Sequence, residues 1–248
     1  MIEERTYRKQ FSRERFSSFI VNYKDTDLWI GVDPGSYQEE MKDFAFQKVK
    51  ELRHLLEGYL LQDPVYGHTF GPHYPQPNAP AIVKGMADAA RVAGVGPMAA
   101  VAGAFAEAVG LHLLRSFDVQ ELVVENGGDI FLKVERAITL SVYAGNSVLS
   151  EKIAIEIPAE ESPLGVCTSS GTVGPSISLG KADAAMIVCR NTALADAFAT
   201  AIGNRVKSPE DVQKAIDQTE LFAEILSAVI ICGDKIGIRG KFEIKLIK

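Results

Sequence analysis

The sequence predicts an α+β fold in which a mainly antiparallel sheet packs against helices. Apolar runs of strand length come in consecutive groups on either side of helical segments, rather than alternating one for one with them as a doubly wound parallel sheet requires. Long segments keep a helical apolar period. An Asn-Gly pair, among the best formers of tight hairpins, sits between two apolar runs at Asn126–Gly127.

The elements follow in chain order. Ser18–Tyr23 and Asp27–Val32 are apolar runs separated by the polar turn Lys24–Thr26, and Pro34–Gly35–Ser36 ends this hairpin. From Tyr37 to Leu61, Met41, Phe44, Val49, Leu52, Leu55, Leu56 and Tyr59 keep helical spacing. Asp63–Pro80 reads as a loop, with five prolines (Pro64, Pro72, Pro75, Pro77, Pro80) and two of the four histidines. Helices are expected over Ala81–Val92 and from Pro97 to Ser116. The second is crowded with alanine and glycine, which lets a neighbouring backbone approach closely. Strands follow at Glu121–Glu125, Ile130–Val134, Ala137–Val142, Lys152–Ile157 and Ala184–Val188. A helix is expected at Thr192–Gly203 and the start of another at Pro209–Asp217, with strands at Ala228–Ile231 and Phe242–Ile247. We read residues 1–248 as one domain.

Composition narrows the function classes. The chain is 47% hydrophobic and 23% charged, ordinary values for a globular protein. Its net charge of −6 argues against a nucleic-acid partner, and Arg5–Arg15 reads as a solvated terminal segment. Cys167, Cys189 and Cys232 form neither a disulfide framework nor a zinc spacing. The apolar region Val92–Ala106 is too short to span a bilayer, and MIEERTYRKQ lacks a signal-peptide core. The expectation is a cytoplasmic protein without membrane or nucleic-acid partners, able to form a homo-oligomer.

Three polar islands are candidates for a ligand site. Asn126–Gly127–Gly128–Asp129 offers backbone N–H groups to a ligand, or is simply a hairpin turn. Thr168–Ser178 carries hydroxyls and glycines suited to phosphate or polar ring edges, with Thr168, Ser169, Ser170 and Ser176 as contributors; a surface loop has the same composition. In the helix at Thr192–Gly203, Leu194, Ala197, Phe198, Ala201 and Ile202 form a core stripe. Asp196 and Thr200 share the opposite face, where a carboxylate and a hydroxyl one turn apart suit a hard cation such as Mg²⁺. The alternative is an Asp placed by the helix dipole. Gly94–Ala99 matches a dinucleotide fingerprint, but what precedes it is helical. Pro97 is better read as the first residue of a helix whose N–H groups, beginning near Gly96, can receive a phosphate. Asp183 ranks lower. Cys167 reads as a structural thiol, His54 and His112 as packing groups, and His68 and His73 as the histidines open to acid–base work.

The order of the islands is more specific than any one of them. ENGGDI ending a strand, then GVCTSSG, then VxxxxALADAFATA resembles the ApbE family, the FAD:protein FMN transferases, over roughly Gly94–Gly203. The resemblance implies an ApbE-like fold related to the tunnelling folds. It also implies a flavin-nucleotide site lined by Asn126–Asp129 and the Thr168–Ser170 segment, with Mg²⁺ at Asp196 and Thr200, which then become the catalytic pair. Where that family carries His-Ile-x-Asp-Pro after Thr-Ser-Gly, this chain has Gly174–Pro175–Ser176–Ile177–Ser178–Leu179, and Val95–Gly96–Pro97–Met98 stands where Lys-Gly is usual. The sequence is therefore similar to a divergent branch. The expected function is FAD binding with a Mg²⁺ site, with FMN transfer or pyrophosphate cleavage. The alternatives are a binding module without turnover and an enzyme acting on another heterocycle such as a pterin or purine.

Overall fold

The computed structural model describes residues 14–172 and 178–247. It opens with the hairpin β1 (Ser17–Tyr23) and β2 (Thr26–Val32), followed by the long helix α1 (Glu40–Gln62). A single helical turn, α2 (Pro64–His68), lies inside the proline-rich segment expected to be a loop; Asp63 caps it by accepting from the Tyr66 N–H. Next come α3 (Ala81–Ala93) and a continuous helical run made of a 3-10 turn at Pro97–Ala100 and α4 (Val101–Ser116). Gly94 ends α3 with φ 76°, and the Val95 N–H reaches back to Ala90 O, so this glycine closes a helix and does not open a nucleotide fold.

The chain then forms β3 (Leu122–Asn126), β4 (Asp129–Lys133), β5 (Ile138–Ser141), β6 (Ile153–Ile157), β7 (Leu164–Ser169) and β8 (Ala184–Cys189). It finishes with α5 (Thr192–Gly203), α6 (Val212–Gln218), β9 (Ser227–Cys232), β10 (Lys235–Gly240) and β11 (Glu243–Leu246). Eight strands form one sheet in the order β1-β2-β3-β4-β7-β8-β9-β10, antiparallel at every step. A second, three-stranded sheet, β11-β6-β5, packs against one face of it. This is the α+β architecture expected from the grouping of apolar runs.

Strand parity divides the interior into two cores. On β8, Ala185, Ile187 and Cys189 pack with the helices, whereas Ala184, Met186 and Val188 pack with the small sheet. A strand covered on both faces has no polar side to show, and for that reason AAMIVC and SAVIIC carry no alternation. The uncovered edge strand β1 does alternate in burial. Two strands escape the sequence pattern. β7 merges into a hydroxyl-rich tail, and β10 (KIGIRG) is broken by charge and glycine. Its Gly237 leaves room for Val212 and Ile216 of α6, which a Cβ would meet at 3.0 and 3.2 Å.

Two expectations change. Arg15 is not a solvated terminal residue. It donates twice to the buried Glu121 carboxylate, at 3.0 and 2.8 Å, and to the carbonyls of Arg136 and Ala137. The apolar helix, Pro97–Ser116, is also longer than its unbroken apolar run, because Glu107 and His112 interrupt the string but not the helix. By length and composition it suffices to cross a bilayer, but 50% of its apolar window is buried within this fold.

Candidate functional site

The β3–β4 hairpin sets the first wall. Asn126 pairs with Asp129, and the two residues between them, Gly127 and Gly128, have φ of 68° and 102°. A two-residue turn with both central φ values positive fits the right-handed twist of the strands it joins, and glycine takes it without strain. The hairpin-turn reading of this island is therefore correct, and the turn also has a consequence. It delivers Asp129 to the helix-facing side of β4, alongside Cys167 on β7. Asn126 faces the same way and donates through Nδ2 to Ala102 O at 3.1 Å.

The second wall is made by two helices that cap one another. α4 starts at Ala100 with no side-chain cap of its own. The carboxylate of Asp196, on α5, fills that role, accepting from the Gly103 N–H at 2.8 Å and from the Ala102 N–H. In return Glu107 of α4 accepts from the Thr192 and Ala193 N–H groups at the start of α5, and from Asn191 Nδ2 at 2.8 Å. Each helix thus places a carboxylate at the positive end of the other. This requires unusually close backbones. A Cβ on Gly103 would lie 2.5 Å from Thr192 O, and one on Gly165 of β7 would lie 2.4 Å from Thr192 Cα. The small-residue pattern of the sequence serves this contact. Gly165→Ala is expected to cost about 1–3 kcal/mol by urea unfolding, since the obstructing atoms are backbone and cannot rotate aside. A wild-type midpoint in that variant would show that α5 does not seat against β7 as described.

Between the walls lie two buried carboxyl groups. Asp129 and Asp196 are each less than a tenth exposed. Burial pushes Asp196 up to about 7 against the opposing pull of the Gly103 and Ala102 N–H groups. Burial, and then the neighbouring Asp196 charge, raises Asp129 well above the usual carboxylate range. One face of Asp129 is served by the Cys167 thiol and the Thr168 N–H. Its Oδ1 has no hydrogen-bond partner, and neither does Thr192 Oγ1. Burial, and then the Asp129 and Asp196 charges, push the Cys167 thiol up, which favours the thiol over the thiolate. Among the described residues, no three His, Cys, Asp or Glu side chains form a group that could hold a metal ion.

The other expected residues divide between the surroundings of this pair and places away from it. On α5 the apolar stripe and the opposite face are both covered: Asp196 is buried, Thr200 is half-buried one turn further on, and Ser169 of β7 lies beside Gly203. Thr168 contributes its backbone, because parity turns its side chain away from the helices. Ser170 is partly committed to its own loop, accepting from the Thr172 N–H at 3.1 Å. Thr172 then donates to Asp183, whose other oxygen holds the Gly233 N–H, so Asp183 acts as a tether for this segment. Gly96 packs under the proline-rich loop, where a Cβ would overlap Thr69 O. Ser176 lies outside the described residues. His112 stacks on Phe44, His54 meets the Tyr23 hydroxyl, and His73 binds Asp63 at 2.7 Å, clasping the proline-rich loop. His68 is exposed. Sequence reasoning missed Glu107 and the two N–H groups of α4; a long-range cap leaves no local signature.

The family described as AbpE bacteria matches residues 8–234. A UPF0280 protein of Methanocaldococcus jannaschii is 34% identical over 223 residues, 88% of each chain. One from Methanocella arvoryzae is 39% identical over 193 residues, 78% of each. Among solved structures, the apbe protein of Thermotoga maritima superposes with a TM-score of 0.57 at 12% identity, covering 91% of this chain and 97% of that one. The flavin transferase ApbE of Vibrio cholerae gives 0.53 at 12% identity, covering 90% and 96%. The fold is thus ApbE-like, and the chain is a divergent branch: close to the archaeal sequences, distant from the solved ones.

Proposed function

The chain belongs to the AbpE bacteria family, and from that premise we propose that it binds a flavin dinucleotide, FAD, together with Mg²⁺ at the Asp129–Asp196 pair, as an FMN-transferring or pyrophosphate-cleaving enzyme. One observation carries the reading: a buried carboxylate oxygen, Asp129 Oδ1, has no partner and stands next to a second buried carboxylate. Two like charges in a desolvated place repel, and a hard divalent cation is the partner that relieves both. The donor set fits Mg²⁺, which binds through one or two carboxylates and takes the rest of its shell from water and phosphate oxygens.

Asp196 and Thr200 would hold the ion from α5, with Asp129 facing them from β4. When bound, the ion supplies positive charge next to the pyrophosphate oxygens. The rest falls to the chain itself. The backbone at Gly127–Gly128 would give a flat ring close approach, and Thr168–Ser170 would orient ring and phosphates. Asp196 keeps its place because the α4 N–H groups fix its rotamer.

The test is a fluorescence titration of FAD against purified protein in Mg²⁺ and in EDTA. Saturable binding that EDTA abolishes supports the reading; no binding at high micromolar FAD overturns it. A second reading has its own observation. Gly174–Leu179 replaces the histidine-bearing segment of the family it resembles, and each histidine contact in the described residues lies elsewhere. A binding module of this kind would take up FAD and release it unchanged, which product chromatography separates from transfer.

A further inference from the structure

A second charged feature lies away from the carboxylate pair. Asp211, Lys214, Ala215 and Gln218 follow one another at helical spacing on the face of α6 and its leading turn. With Arg205, from the segment after α5, they line a cleft of about 310 Å³. Ala215 is buried and forms the floor. Arg205 donates through Nη1 to Gln218 Oε1 at 2.8 Å, which fixes the guanidinium at the mouth and leaves its other N–H groups available. Neither Arg205 nor Lys214 makes an ion pair among the described residues. The one acidic residue of the lining, Asp211, lies within reach of the Lys214 charge, and its Oδ2 is already engaged, accepting from the Lys207 and Ser208 N–H groups and the Ser208 hydroxyl. In a chain of net charge −6, the lining of this cleft carries two cations against one carboxylate.

We propose that this cleft binds a small phosphate monoester through Arg205 and Lys214. The guanidinium fork matches two phosphate oxygens in one plane, and the ammonium supplies a point charge for the third. A monoester near neutral pH carries close to two negative charges, matching two cations, whereas a carboxylate carries one. The volume admits a phosphate with a small organic group but falls at the low end for larger ligands. The site is separate from the flavin reading and stands or falls without it.

The experiment is an amide NMR titration of the full chain with glycerol 2-phosphate and, at equal ionic strength, with acetate and chloride. Saturating shifts at Lys214, Ala215 and Gln218 with the phosphate ester alone are expected. Arg205→Gln and Lys214→Gln should each weaken the affinity about tenfold, the loss of one charge-assisted contact, with Arg91→Gln unchanged. Both substituted side chains are exposed, so the variants should melt as wild type does. Shifts that never saturate, that acetate reproduces, or that survive both substitutions would overturn the proposal.

Discussion

Asp196→Asn is expected to weaken Mg²⁺-dependent FAD binding by about a hundredfold, the upper range for losing a group that supports a metal site, while leaving the fold in place. The amide keeps an oxygen for the Gly103 N–H, so the cap of α4 survives and the charge goes. Asp196→Ala is the poorer variant, because it also removes the cap, worth about 1 kcal/mol. A pH signature accompanies the prediction. Both carboxyl groups titrate above their ordinary values, so without metal these two groups favour the folded state most where they are protonated. That contribution is present below about pH 4 and is lost as pH rises through the folded value of Asp196, about 7. Mg²⁺ should therefore raise the melting temperature more at pH 8 than at pH 5 in wild type, and little at either pH in the Asn variant. An equal Mg²⁺ response in both proteins would remove Asp196 from the metal site.

Much of this arrangement was legible in the sequence, for reasons that separate local from non-local physics. The hairpin at Gly127–Gly128 was readable because only glycine takes two successive positive φ values cheaply. α5 was readable from its apolar period, and the small residues of α4 announced a close neighbour before that neighbour was known. What stayed hidden depends on partners far away in the chain. Asp196 looked like either a dipole-placed Asp or a ligand. The structure shows the dipole to be that of another helix, so the two readings do not exclude each other. Glu107 looked like a charge interrupting an apolar helix, yet it closes the reciprocal cap. Composition did not tell how the hydroxyls of Ser170 and Thr172 are engaged: Ser170 accepts from the Thr172 N–H, and Thr172 donates to Asp183. Arg15 misled for the same reason as Glu107, since its partner lies 106 residues away.

That partner makes the second large prediction. Glu121 is 3% exposed and receives five donors: two from Arg15, one from Arg136 Nη2 at 3.3 Å, and the N–H groups of Glu135 and Arg136 at 3.1 Å each. Burial alone would raise its carboxyl, but the Arg15 guanidinium and these N–H groups outweigh it and hold the group at about 2, from an ordinary 4.5. A depressed folded value means stability that is complete above about pH 4.5 and disappears as pH falls toward 2. By linkage it amounts to about 3 kcal/mol. Urea unfolding of the wild type should show this loss between pH 5 and pH 2. Glu121→Gln should keep the hydrogen-bonded shape, lose part of the stability at pH 7, and flatten the acid limb. Glu121→Ala should cost about 3–5 kcal/mol at pH 7, because it leaves a confined guanidinium and two N–H groups without an acceptor. The logic is opposite to that at Asp196: there a carboxylate is buried beside another, and the proposed Mg²⁺ would supply the missing positive charge; here the chain supplies the cation itself. If Glu121→Gln retained the wild-type acid slope, the Arg15 contact would be an ornament of the folded state and not one of its supports.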